Sequence, residues 1–177
     1  PEEINRKVAD SVSEVLFPHI QEAYDSLMHE GYPEDDVYLV GDLVKDTLVD
    51  IVRRFDIKIK RDGYVLATIH RAENTDDKER LTKITEALIE SGVSIKLPLH
   101  PRTKNKMIEF GIFKLLDESK NVEIMEPLGY LDLIKLMAHS DKVVTDSGGL
   151  RREAYMLEKP IITLIDIIWV PSLITNG

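Results

Sequence analysis

The chain has 177 residues, no cysteine and a formal net charge of −9, with 43% hydrophobic and 31% charged residues. Such a length and balance fit one globular domain, or one domain and part of another, and exclude a disordered chain. The lack of cysteine excludes disulfides, thiolate nucleophiles and cysteine-held zinc or iron–sulfur groups, and the acidic surplus argues against nucleic acid or an anionic membrane as partner, while leaving room for a small anion in one pocket.

No apolar run reaches the ~18 residues that cross a bilayer, and no basic leader opens the chain. With a cysteine-free composition this points to a cytoplasmic protein. Opening on Pro1 rather than Met, the chain reads as a piece of something longer.

From Glu2 to Leu16 the spacing of Ile4, Val8, Val12, Val15 and Leu16 predicts a helix with one apolar face. Glu2 and Glu3 in its first turn complement the helix dipole. Pro18 interrupts, and Ile20, Ala23, Leu27 and Met28 predict a second helix ending near Gly31. Val37 to Val40 predicts a short strand, and Val44, Leu48, Ile51, Val52 and Phe55 a third helix. The charged run Asp56 to Gly63 then reads as a connector.

Beyond it the pattern becomes regular. Strands are predicted at Tyr64 to Ile69, Val93 to Leu99, Val122 to Met125, Lys142 to Thr145 and Ile161 to Leu164. Between them fall helices at Lys78 to Ser91 (with Leu81, Ile84 and Leu88 on one face), Met107 to Leu116 (with Gly111 as a break), Leu131 to Ala138 and Leu150 to Leu157. Alternation with short connections predicts an α/β fold with a parallel, doubly wound sheet. The tail from Ile165 to Gly177 shows no closing helix.

Ligands of such sheets sit at the carboxyl ends of the strands, and three of these ends carry chemistry. Thr145-Asp146-Ser147-Gly148-Gly149 leads from a strand directly into a helix. The glycines admit a close ligand, and the free amides and dipole of the first turn favour an anion such as phosphate. Equally, the segment reads as an ordinary turn with Asp146 or Ser147 as N-cap. Glu153, one turn on, is placed to accept paired hydroxyls. The loop is neither a Walker A loop nor a dinucleotide fingerprint. His70, Arg71 and Glu73 follow the first regular strand, where an imidazole can exchange a proton near neutral pH or bind a substrate oxygen; a hydrogen-bonded loop histidine is the plainer reading. His100 and Arg102 repeat the arrangement around Pro101. No His/Asp/Glu spacing makes a metal site.

Taken together these segments resemble the non-hydrolysing UDP-N-acetylglucosamine 2-epimerases. Pro1 to Arg6 is similar to the family's PEE-x-NR helix, and Gly41 to Asp46 to its G-[ND]-x-x-x-D turn. Tyr64 to Asn74 resembles the HR-x-EN strand end, and Asp146 to Ala154 resembles DSGG-[IL]-Q-x-EA, followed by Lys159-Pro160. GDLVKD, HRAENTDD and PLHPRTK lean toward the archaeal and diacetamido-glucuronate branch.

The resemblance implies the C-terminal part of a GT-B-like fold of two Rossmann-like halves. Residues 1–56 would be the tail of the first half with a crossover helix, and residues 57–177 an incomplete UDP-binding half. It implies inversion at C2 of a UDP-linked 2-acetamido sugar. A base removes the C2 proton while UDP leaves C1, and UDP returns after protonation on the other face. Proton handling on two faces needs two groups. By resemblance Glu2 is a catalytic carboxylate and His70 the active-site histidine beside the departing phosphate. Ser147, Gly148 and Gly149 are the diphosphate cradle, with Arg71 and Asp146 beside it, and Glu153 is the ribose carboxylate. His100 matches a histidine near a regulatory nucleotide-sugar site of some bacterial members. No cofactor is implied, and full-length members are typically homodimers.

Departures from the family pattern are equally specific. Arg151 stands where the motif has Gln, and Ile165 where it has Arg. A further catalytic Asp and Glu, which the family carries before PEE, precede the range of this chain. The expectation is therefore an epimerase-like chain with little turnover alone. The alternatives are a UDP-binding module without catalysis and a GT-B glycosyltransferase-like domain.

Overall fold

A computed structural model of the protein describes residues 2–165, with the backbone alone for Glu2. Its contacts fall into two compact units, Pro1–Asp50 and Ile51–Gly177.

In the smaller unit α1 (Glu2–Ser11) is shorter than its apolar spacing predicts. The Ser11 and Ser13 hydroxyls donate to the carbonyls of Val8 and Ala9, occupying acceptors at the helix end. Released from the helix, Leu16 forms a parallel bridge with Val37. The predicted strand at Val37 to Val40 is reduced to that bridge, continued by Tyr38 N–H donating to Leu16 O and Val40 N–H to Pro18 O. Leu16, Val37 and Leu27 of α2 (Gln21–His29) are the buried centre of this unit. Ile4, Val8 and Val12 remain exposed. Arg6 bonds to Glu3 and Asp10 on its own helix and to Glu30 just beyond α2, so it ties the two helices rather than standing as a simple surface residue. α3 (Leu43–Arg54) runs from the smaller unit into the larger, with Asp42 Oδ1 accepting the Val44 amide at its start.

The described residues of the larger unit are built on five parallel strands: β1 (Val65–Thr68), β2 (Ile95–Pro98), β3 (Val122–Met125), β4 (Lys142–Thr145) and β5 (Ile161–Thr163). Their order is β3-β2-β1-β4-β5. Val65 pairs with both Ile95 and Lys142, and Thr68 with Thr145. The chain winds outward from β1 to β3, returns to place β4 on the other side of β1, and continues to β5. The reversal puts the switch point of the sheet between β1 and β4, where a crevice opens at the strand ends.

Among the described residues six helices accompany the strands: α4 (Ala72–Thr75), α5 (Lys78–Glu90), α6 (Pro101–Glu109), α7 (Phe113–Asp117), α8 (Tyr130–His139) and α9 (Gly148–Met156). Asp77 caps the start of α5, its carboxylate accepting the Arg80 amide. Its predicted stripe faces inward, with Leu81 and Leu88 buried and Ile84 packed against the core. A fully buried leucine contributes about 1.5–3 kcal/mol. α6 starts six residues earlier than its apolar spacing predicts, because Pro101 at its first position is pre-set for a helix and His100 Nδ1 accepts the Arg102 amide. Gly111, at φ +75°, breaks α6 from α7 as its position suggests.

The connector 56–63 holds no helix or strand but is fastened to the larger unit. Lys60 and Asp62 amides donate to the carbonyls of Ala138 and His139. Buried Lys159 donates to Lys60 O at 2.7 Å and to Ser140 O at 2.8 Å. The predicted irregular tail beyond Ile165 lies outside the described residues, as does Pro1.

Candidate active site

β1 and β4 end side by side, and the loops beyond them are joined by one carboxylate. Asp146 is fully buried. Its Oδ2 accepts the amides of His70 at 3.0 Å and Arg71 at 2.9 Å, and the Asn74 side-chain amide at 2.9 Å. Asn74 also donates to Leu164 O, and its own oxygen accepts from Arg80 Nε at 2.6 Å. Below this hub the Thr68 and Thr145 hydroxyls meet at 2.7 Å, and Thr145 Oγ1 accepts the Ser147 amide. Thr103 Oγ1 donates to Ile69 O at 2.6 Å, fixing the other flank of the β1 loop.

The polar core exists because the loop leaving β1 has backbone donors that no strand can satisfy, and a buried anion satisfies several at once. Asp146 thus fastens the β1 loop to the end of β4. Sequence reasoning singled out Asp146 and quoted Asn74 only as part of a motif. Thr68 and Thr145 stood out only as strand ends and Thr103 not at all, since a threonine's hydroxyl is unremarkable until its partner is known.

His70 is held at its backbone by Asp146, and its Nδ1 lies 3.2 Å from Asp146 Oδ1. The side chain is 43% exposed. With His100, whose ring lies 6.4 Å away, it lines a cavity of about 240 Å³ that also involves Thr68, Pro98, Leu133 and Leu150. His70 and His100 are therefore brought together. His100 also caps α6, and Arg102 beside it pairs with Asp76 at 2.7 Å.

Ser147 is the N-cap of α9, its Oγ accepting the Leu150 amide at 3.3 Å. The capping reading of this turn is thus observed, and it leaves the amides of Gly148 and Gly149 in the first turn without an intrahelical acceptor. A Cβ on Gly148 would stand 3.7 Å from Arg151 Nη2 and 3.8 Å from Arg71 Nη2, so two guanidiniums converge on this loop. Burial, followed by the charge of Arg71, holds the Arg151 guanidinium below its ordinary pKa.

Glu153 is buried on α9 and accepts the Tyr130 hydroxyl at 2.7 Å. Burial first, and then this bond, push the Tyr130 phenol up to about 12. Tyr130, which opens α8, escaped sequence reasoning because its partner is 23 residues away. Glu2 begins α1 in the smaller unit, and its side chain is outside the described residues.

The strand ends therefore assemble an imidazole, two guanidiniums, two free amides at a helix N-terminus and a buried carboxylate. Such a set binds an anion and offers hydrogen-bond partners to hydroxyls. Among the described residues no cluster of three or more His, Asp or Glu is arranged to hold a metal ion, and no helix is long and apolar enough to cross a membrane.

Residues 1–167 match the family model described as UDP-N-acetylglucosamine 2-epimerase. The whole chain is 40% identical to the UDP-2,3-diacetamido-2,3-dideoxy-D-glucuronate 2-epimerase of Pseudomonas aeruginosa, covering 51% of that protein. It is 36% identical to the UDP-N-acetylglucosamine 2-epimerase of Methanocaldococcus jannaschii, covering 52% of it. The crystal structure of the Methanocaldococcus jannaschii UDP-GlcNAc 2-epimerase in complex with UDP-GlcNAc and UDP superposes with a TM-score of 0.85, over 99% of this chain and 52% of that one. The chain spans about half the length of the relatives it matches, and the matched stretch is their C-terminal half.

Proposed function

Because the chain belongs to the UDP-N-acetylglucosamine 2-epimerase family, we propose that its larger unit holds the UDP end of a UDP-linked 2-acetamido sugar. The complete protein then inverts the sugar at C2, interconverting UDP-GlcNAc and UDP-ManNAc. The observation that carries this reading is the Asp146 hub, which locks the His70–Arg71 loop against the glycine turn at the sheet's switch point. Ser147, Gly148 and Gly149 present their loop to the diphosphate, with Arg71 beside it. Glu153, turned by Tyr130, receives the ribose hydroxyls.

The reaction is an elimination and a re-addition. The C2–H bond breaks, its electron pair forms the C1–C2 double bond, and the C1–O bond releases UDP. His70 donates to the departing phosphate, and Glu2 is one of the two groups that move the C2 proton. Protonation of the glycal on the opposite face and return of UDP to C1 complete the inversion. A leaving diphosphate gathers charge, so cationic and amide donors fixed in advance favour the transition state over the bound sugar.

On this reading residues 1–56 close an N-terminal half and residues 57–177 form the UDP-binding half, in a cytoplasmic homodimer. The 177 residues alone bind UDP without appreciable turnover. Titration calorimetry with UDP tests this, with Gly149→Asp as control, since a carboxylate in the first turn repels the diphosphate. Absence of heat at millimolar UDP would overturn the binding assignment. Appreciable UDP-ManNAc after incubation with UDP-GlcNAc would overturn the division of labour.

A further inference from the structure

Arg151 occupies an unusual position. It lies in the second turn of α9 and is only 7% exposed. Its Nε is buried with no hydrogen-bond partner, and its Nη2 reaches the same point above Gly148 as that of Arg71. The charge that acts on Arg151 is that of Arg71. Asp146 is committed to the amides of His70 and Arg71 and to Asn74, and Glu153 to Tyr130. Two like charges this close, one of them desolvated and unpaired, cost stability unless an anion joins them.

We infer that Arg151 and Arg71 form a two-guanidinium clamp that selects a diphosphate over a monophosphate. The inference rests on the reading of the glycine loop as a diphosphate site and assigns Arg151 a specificity role there. One phosphate fills the amides of the helix N-terminus. The second lies between the guanidiniums, where each offers paired donors to phosphate oxygens.

The test uses the 177-residue chain, with inorganic pyrophosphate, inorganic phosphate, UDP and UMP as titrants. In Arg151→Gln the pyrophosphate affinity falls at least tenfold, about 1.4 kcal/mol, while phosphate affinity changes less than threefold. The unliganded variant melts at a higher temperature than the parent, because the uncompensated buried charge is gone. Arg151→Lys retains part of the preference, and Arg71→Gln reproduces the loss from the other side. Unchanged pyrophosphate affinity in both Gln variants overturns the clamp. So does an equal loss of phosphate and pyrophosphate accompanied by a lower melting temperature, which marks a structural arginine. If pyrophosphate binds through Arg151 but UDP binds no better than pyrophosphate, the clamp stands and the uridine reading fails. If UDP binds better than pyrophosphate and equally well to both Gln variants, the nucleotide reading stands and the clamp fails.

Discussion

Replacing Asp146 by Asn tests the hub most directly, since it keeps the shape and removes the charge. Oδ2 accepts three donors, from His70, Arg71 and Asn74. A hydrogen bond to a charged acceptor contributes about 1.5–3 kcal/mol and a neutral one about 0.5–1.5. Each bond thus weakens by about 1 kcal/mol on that comparison, for a gross loss of about 3 kcal/mol. The amide no longer carries a buried charge, and the recovered desolvation cost brings the net to about 2 kcal/mol. For a chain of this size that lowers the melting temperature by about 4–8 °C. Urea unfolding followed by far-UV circular dichroism reads the loss of stability, and calorimetry with UDP on the folded variant reads the displaced loop as at least a tenfold fall in affinity. A loss of stability below about 0.5 kcal/mol, the scatter of ordinary surface substitutions, would refute the idea that this carboxylate organises the loops. A clear loss with unchanged UDP affinity would refute the link from the hub to the ligand.

Gly148→Ala places its methyl in ordinary contact with the two guanidiniums, so folding stability should hold within about 1 kcal/mol while UDP affinity falls severalfold in the same titration. Burial raises the phenols of Tyr64 and Tyr130 to about 12. An unfolded tyrosine ionises near 10, so their contribution is intact below pH 10 and is lost as the pH climbs from about 10 to 12. The double variant Tyr64→Phe/Tyr130→Phe should flatten the stability profile over that window, and an unchanged slope would count against the shift. Lys159→Met removes a charged donor from two carbonyls and should cost about 2–3 kcal/mol, read as a lower urea midpoint.

The larger unit was legible because strands and helices alternate there, and each buries a contiguous apolar set. β3 and β4 run where hydrophobicity alone places them, between polar turns. α6 was only half visible: residues 101–106 are mostly polar, and the helix start is dictated by Pro101 and the cap at His100 rather than by a stripe. The smaller unit was harder for the opposite reason. Ile4, Val8 and Val12 form a clear stripe, yet the serines end the helix and send Leu16 to a bridge instead. In the site, residue types and positions along the chain were readable, whereas pairings across 23 to 90 residues were not. Tyr130 with Glu153, and Asn74 with Leu164, arise from how the sheet is wound.

The attachment of the β1 loop to Asp146 also has a bearing on time. By position the amides of His70 and Arg71 belong to a loop and would exchange their hydrogens with solvent within moments. Bonded to a fully buried carboxylate, they exchange only when those bonds open, more slowly than the amides of an unfastened loop. On the proposed reading, a nucleotide would meet a loop already set in shape, and its binding energy would not be consumed in ordering it.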